Sequence, residues 1–404
     1  MNSLLTGLRI VESVAFVAAP LGGLTLAQMG ADVIRIDPIG GGLDSQRWPL
    51  SESGRSLYWA GLNKSKRSIA IDLRAPEGQA LAREIITAPG NDAGILLSNF
   101  PARGWLAYDD LVERRANLIM VNIVGTRDGS TALDYTGNCA VGLPQITGEG
   151  HDNAPVNHVL PAWDISAGLS AAVAILAAER HRRASGEGQY VRLSLSDVAL
   201  AMVGHLGFIA ETEYGKDVRR AHGNHLFGAF GRDFETADSR RVMVVAISRR
   251  QWRNLCEATG LAEKMDMLER VFELDFDREG DRFEAREAIS SLIQNWCEKR
   301  SLSQIAKCFD AAGVCWGPYQ SFQQLLDEDP RCSEANPMFQ QVEQPGVGTY
   351  LMPGCSADFG ASPRLDVRPA PAIGQHTDEV LAELLGFSGA EIGRLHDAGL
   401  VGAP

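Results

Sequence analysis

The chain has 404 residues, is 45% hydrophobic and carries a formal net charge of −13 at pH 7. That length and apolar content support two domains, each with its own core. The acidic balance argues against nucleic acid or an anionic membrane as the main partner, because both need a broad positive surface.

The opening MNSLLTGLRIVE enters a strand pattern without a charged-then-apolar leader. No apolar run reaches the roughly 20 residues that span a bilayer, so a cytoplasmic protein is expected. LRIVES, ending at Ser13, predicts a buried strand, residues 18–30 a helix closed by Gly30, and ADVIRID (31–37) a second strand. KRSIAIDL, a helix near 76–87, AGILLSN, a short helix near 107–115 and LIMVNIVG continue the alternation. These strands are apolar enough to be covered on both faces, which predicts an α/β fold with a parallel sheet. Residues 166–184 predict a long Ala-rich helix ending in RHRR, where the helix dipole favours cations. QYVRLSLSDVALAMVGHLG then returns to strand and helix, closing a large domain over 1–220.

Beyond residue 225 the pattern changes. DFETADSRRVMVVAI predicts a hairpin and the next seventy or so residues are mainly helical, so 225–325 is expected to be a smaller α+β domain. Prolines at 318, 330, 337, 345, 353, 363, 369 and 371 predict an extended connection through much of 326–404, returning to the large domain and ending in the helix HTDEVLAELLG. The seven cysteines (139, 256, 297, 308, 315, 332, 355) are scattered without a C-x-x-C pair. Reduced, mostly structural thiols are therefore expected, with neither a disulfide framework nor a zinc site. His222 and His225 have metal-like spacing but no evident third ligand, so no metal is expected.

A β-α-β opening raises dinucleotide binding, with Asp37 as the ribose ligand. ESVAFVAAPLGG lacks the G-x-G-x-x-G turn that lets the backbone approach a pyrophosphate, and no Walker motif occurs. The GGG at 40–42 therefore reads as a loop. NKSKR (63–67) packs three cations into four residues, either as a solvated loop or as a phosphate seat. Asp164, in HVLPAWDISAG (158–168), stands just before the long helix. It is either the helix cap, worth roughly 1 kcal/mol, or a reagent. A helix N-terminus favours an ionised carboxylate, so the two roles are compatible.

AAPLGGLTLAQMGADVIRIDP (18–38), LNKSKRSIAIDL (62–73), NFPARG (99–104), SGEGQYVRLSLSDVAL (185–200), TADSRRVMVVA (236–246) and GQHTDEVL (374–381) together resemble the class III CoA-transferase family, from about residue 7 to 396. The resemblance implies a Rossmann-like large domain built from both chain ends, a small domain between them, and two interlocked subunits. It implies that Arg35, Lys64, Lys66, Arg67 and Arg103 contact the CoA phosphates or adenine. It also implies that Asp164 is the catalytic nucleophile, carrying CoA as an aspartyl thioester. CoA enters as part of the substrate, and no other cofactor is expected.

Departures from the family pattern narrow the reaction. Members that racemise an acyl-CoA use a histidine in a Gly-His-Asp segment, where this chain has Ala132-Leu133-Asp134-Tyr135; Ser248 stands where their partner acid would fall. No acid-base pair is left to move an α-proton. Formyl-CoA-transferring members carry a mobile run of four glycines, whereas Gly223–Gly231 here includes His225, Leu226, Phe227 and Phe230. These side chains either fill a lid that retains the released acid or pack a domain junction. FVAAPLGG, NFPARGW, NHVLPAWD, GAFGRDFET and EQPGVGTYLMPG resemble the branch that moves CoA between the C1 and C4 carboxyls of one 2-methylfumarate (mesaconate). In that reading Arg47, Tyr135, His158 and Arg232 are candidates to meet the second carboxylate, with His225 and Phe227 in the lid. The alternatives are an intermolecular transferase for another dicarboxylic acid, a racemase, and a non-catalytic acyl-CoA-binding protein.

Overall fold

The computed structural model describes residues 3–149, 154–215 and 219–404. The chain divides into two compact units: Met1–Val141 with His158–Tyr214 and Pro330–Pro404, and Gly142–Asn157 with Gly215–Asp329. The larger unit uses both chain ends, while Gly142–Asn157 groups with the smaller one.

The larger unit begins with β1 (Arg9–Ser13), α1 (Ala18–Ala27), β2 (Asp32–Pro38), α2 (Leu57–Leu62), β3 (Arg67–Ile71), α3 (Pro76–Thr87) and β4 (Ile95–Ser98). It continues with α4 (Tyr108–Arg114), β5 (Ile119–Val124), α5 (Asp134–Ala140), α6 (Ala162–Ser185), β6 (Gln189–Ser194), α7 (Leu195–His205) and α8 (Phe208–Tyr214). Ile95, Leu96, Leu97, Met120 and Val121 are all fully buried, the signature of parallel strands covered on both faces. α1 and α6 cross closely because both carry bare α-carbons at the contact. A Cβ on Gly168 would lie 2.5 Å from the Ala18 carbonyl oxygen, and one on Gly22 3.0 Å from that of Gly168. The 24-residue α6 is long and apolar enough to cross a bilayer by length and composition, which the sequence reading did not expect. In this unit it buries Trp163, Ala167, Ala171 and Ile175.

The smaller unit holds β7 (Phe230–Glu235), β8 (Arg241–Ala246), α9 (Arg249–Thr259), α10 (Ala262–Phe272), α11 (Glu279–Glu284), α12 (Arg286–Cys297), α13 (Leu302–Ala312), β9 (Cys315–Pro318) and α14 (Phe322–Glu328). β7 and β8 form the expected hairpin, and β9 adds an antiparallel third strand. Its core includes Phe230, Phe234, Trp252, Phe276, Ile289 and Phe309. α9, α13 and α14 start on reciprocal Ser/Gln capping boxes.

The return segment contains β10 (Phe339–Gln344), β11 (Gly348–Pro353), α15 (Thr377–Leu385), α16 (Gly389–Asp397) and β12 (Val401–Gly402). β10 and β11 pair as a hairpin where an extended connection was expected. The prolines permit this because Pro345 falls in the turn and Pro353 at the strand end, where the missing N–H costs no ladder bond.

The seven-stranded sheet runs β12-β3-β2-β1-β4-β5-β6, parallel except for β12, which is antiparallel to β3. β1 pairs with β2 on one side and β4 on the other. Such a switch point opens a crevice beyond the carboxyl ends of the strands.

Candidate active site

A cleft of about 900 Å³ occupies that crevice, lined by Ser13, Val14 and Ala15 around the end of β1, Ile36, Pro38 and Ile39 around the end of β2, and Phe100, Arg103 and Trp105 after β4. Arg74, just beyond β3, joins the lining. Both Arg74 and Arg103 are exposed, and among the described residues neither is in an ion pair. Apolar walls with two unspent guanidinium groups suit a ligand that is part apolar and part phosphorylated.

The loop lining this cleft at Gly41–Leu43 continues to Asp44 and Arg47. Asp44 accepts from the Phe16 N–H at 3.0 Å, and the Asn99 side chain brackets Ala15, accepting its N–H at 2.9 Å and donating to its carbonyl at 2.8 Å. These bonds hold Phe16 in a left-handed conformation (φ 66°), which costs a non-glycine residue of order 1 kcal/mol or more. The strain places the Phe16 ring beneath Arg47, whose guanidinium carbon sits 5.7 Å from that ring and 5.1 Å from the ring of Tyr58. Among the described residues Arg47 is in no ion pair.

Asp164 is the third residue of α6 and does not cap it. The helix starts after Pro161 without a side-chain cap of its own. Instead, Asp134 from α5 reaches across: its Oδ2 accepts the N–H of Trp163 at 2.7 Å and of Asp164 at 2.9 Å. Its Oδ1 lies 2.7 Å from His158 Nε2, so with a carboxylate as acceptor that nitrogen carries the proton. The Tyr135 ring stands edge-on to His158 at 5.8 Å. The half-buried Asp164 carboxylate accepts no hydrogen bond among the described residues. Burial, and then the charge of Asp134, push its pKa up from 3.8 to about 6, opposed by Arg47. Burial also raises Tyr58 to about 12, with Arg47 opposing and Asp164 adding to the rise. Asp164, Arg47, Tyr58, Asp134, His158 and Tyr135 thus form one electrostatic neighbourhood.

The NKSKR run is not one phosphate seat, because its cations point to different places. Lys66 is buried against Glu12 (2.8 Å), the Pro20 carbonyl (2.8 Å) and Asn63 Oδ1 (3.1 Å). Burial raises the Glu12 carboxyl, opposed by Lys66, and lowers the Lys66 ammonium, opposed by Glu12. Lys64 donates to the Pro353 carbonyl at 3.1 Å, and burial lowers its pKa to about 8. Arg67 reaches Asp32, Glu379 and Glu383 at the amino end of the strands, opposite the cleft. Arg35 lines the cleft, but its guanidinium is spent on Asp37 (2.7 Å), Asp44 (3.0 Å) and Asn63 (3.1 Å). Burial alone would lower its pKa; Asp37 and Asp44 hold it above the ordinary value instead. Of the five cations first assigned to CoA, only Arg103 offers an unspent charge to the cleft. Arg35 and Lys66 are buried beside carboxylates that take up their charge, Lys64 is buried on a backbone carbonyl, and Arg67 faces carboxylates away from the cleft.

The segment expected as a lid packs within the smaller unit. His225 Nε2 and Arg232 Nη1 both face Glu287, at 3.2 and 3.4 Å. Phe227 contacts the rings of His222 and Phe283 and lies under Arg219, while Phe230 is fully buried in the core. Ser248 is spent on the N-cap of α9. Among the described residues no group of His, Cys, Asp and Glu side chains could hold a metal ion.

Residues 5–377 match the family model described as CoA-transferase family III. The chain belongs to that family. It is 56% identical to 2-methylfumaryl-CoA isomerase of Chloroflexus aurantiacus, across 100% of this chain and 99% of that protein. It is 30% identical to succinate–glutarate CoA-transferase of Agrobacterium fabrum, over 94% and 95% of the two chains. The crystal structure of a CAIB/BAIF family protein from Brucella suis shares the fold, with a TM-score of 0.76 at 23% identity over 95% of this chain and 100% of that one. Three residues of this family III chain escaped the sequence reading: Asp134, Tyr58 and Arg74. Asp134 stood in the segment ALDY, weighed only for its missing histidine. Nothing in the local pattern of Tyr58 or Arg74 marks a site.

Proposed function

We propose that the chain is an intramolecular CoA transferase that moves CoA between the C1 and C4 carboxyls of 2-methylfumarate, with Asp164 as the covalent carrier. The observation that carries the chemistry is the Asp164 carboxylate, which accepts no hydrogen bond among the described residues and feels the charge of Arg47, itself in no ion pair among them. The full-length similarity to a 2-methylfumaryl-CoA isomerase supports the choice of acyl group. CoA lies in the cleft at the strand ends, with Arg74 and Arg103 on its phosphates.

An Asp164 oxygen attacks the C1 thioester carbonyl, the C–S bond breaks and CoA leaves as thiolate, giving a mixed anhydride. The thiolate then attacks the Asp164 carbonyl carbon, forming the aspartyl thioester and releasing the C1 carboxylate. The C4 carboxylate of the same molecule attacks that thioester, and the steps run in reverse to place CoA on C4. No proton is consumed, and exchanging one thioester for another needs no ATP. Arg47 holds whichever carboxylate is not reacting, and Tyr135 and His158 flank the nucleophile. The reading includes a homodimer, which sedimentation would test.

An intermolecular transfer is the second reading, favoured by the similarity to a succinate–glutarate CoA-transferase. Incubation of the purified protein with the C1 thioester alone, followed by chromatography of the CoA esters, tests the proposal. Conversion to the C4 ester without label uptake from added free mesaconate is expected, because a trapped acid has an effective concentration far above that of any competitor. Rapid label uptake would leave the intermolecular reading.

A further inference from the structure

A carboxylate in the first turn of a helix is surrounded by unsatisfied N–H donors. It ordinarily bonds to them, and a bonded lone pair is a poorer nucleophile. Asp164 occupies such a place in α6, yet its carboxylate accepts nothing from the described residues. The two N–H groups at its own start are already taken by Asp134, a side chain 2% exposed and set at the first position of a different helix.

We infer that Asp134 is a positioning residue for the nucleophile. It caps α6 in place of Asp164, fixes the backbone at Trp163 and Asp164, and leaves the Asp164 carboxylate unbonded and ready to attack. This rests on the proposed role of Asp164. The charges acting on Asp164 are Asp134 from α5 and Arg47 from the loop after β2; Asp164 in turn acts on Tyr58 of α2, and His158 touches Asp134 on its other oxygen. Two like charges side by side also destabilise the ionised resting state. Acylation of Asp164 removes one of them, so the repulsion is relieved when the anhydride and the aspartyl thioester form. The His158 ring on Oδ1 holds Asp134 in register and tempers its field.

The test is the rate of CoA-adduct formation on the full-length protein. It is read by mass spectrometry after acid quench during turnover of the C1 thioester, from about pH 5 to about pH 8, where the essential carboxylate titrates. In the unmodified protein the rate should fall as pH drops through about 6. In Asp134→Asn the plateau should fall about tenfold, and the acidic limb should move down by about half a unit to one unit. The KM for the thioester should stay within about twofold. Asp134→Glu should restore the limb. His158→Phe keeps the backbone cap but strips the donor from Oδ1, so its limb should move upward; this variant decides the matter if Asp134→Asn does not fold. A purely structural Asp134 would lower Tm and leave the limbs alone. An adduct with unchanged limbs in both variants overturns the inference alone, whereas no adduct in the unmodified protein removes the nucleophile and the inference together.

Discussion

Two clusters in the larger unit contain the same ingredients, carboxylates beside cations, and bond them in opposite ways. Around β2 and β3, Arg35 is held by Asp37, Asp44 and Asn63, and Lys66 by Glu12. The bare α-carbon of Gly23 leaves room for the Glu12 carboxylate, which a Cβ there would strike. Around the start of α6, neither the Asp164 carboxylate nor the Arg47 guanidinium has a hydrogen-bond or ion-pair partner among the described residues, and Arg47 rests on the rings of Phe16 and Tyr58. In the first cluster each cation is bonded to a carboxylate within the protein. In the proposed reading the second cluster serves a ligand, and its charges are held in place by rings and by neighbouring residues, which leaves their bonding capacity for what arrives.

The largest effect that could break this comparison is at Asp164. Asp164→Ala should lower kcat by at least about a thousandfold while the protein still binds CoA, measured by turnover and calorimetry; substantial residual activity would remove Asp164 from the chemistry. The pH linkage has a definite sign. Because the folded pKa is raised from 3.8 to about 6, ionised Asp164 opposes folding, with no penalty below the lower value and the full penalty above the upper one. Asp164→Asn should therefore raise Tm most above pH 6 and not at all below the ordinary carboxylate range.

Lys66→Ala should act in the opposite way, costing about 3–5 kcal/mol of stability by leaving Glu12 buried and unpaired. Denaturant unfolding measures it, and a folded variant with only a raised KM would return Lys66 to the phosphate site. Arg47→Ala should lower kcat/KM by about 1.5–3 kcal/mol, the worth of a hydrogen bond to a charged group, with Tm nearly unchanged. Equal losses for a monocarboxylic acyl-CoA would show that Arg47 does not read the second carboxylate. The smallest effect is expected at the rim: Arg74→Ala and Arg103→Ala should each raise KM a few-fold, and more at low salt than at high salt. A salt-independent change would place the phosphates elsewhere.

The sequence by itself determined the alternation of strands and helices, since each parallel strand must be apolar on both faces and each break must carry turn residues. It also marked Asp164 and Arg103 of NFPARG as worth attention. It could not assign the cations of NKSKR, because Lys64 lies in a turn, Lys66 just before β3 and Arg67 within it, and a left-handed Ser65 between the two lysines is not readable from the pattern. Partners such as Glu12, Asp32 and Glu379 lie 54, 35 and 312 positions away from the residues they pair with. The prolines of the return segment read as an extended connection because the pattern does not say which of them fall in a turn. The question of whether Asp164 caps its helix also lay beyond local reading. A cap near a helix start is normally sought within the preceding residues, and here it comes from Asp134, 30 positions upstream. The tertiary structure alone decided that Asp134 rather than Asp164 would satisfy the helix start, because hydrogen-bond satisfaction is settled by proximity in space.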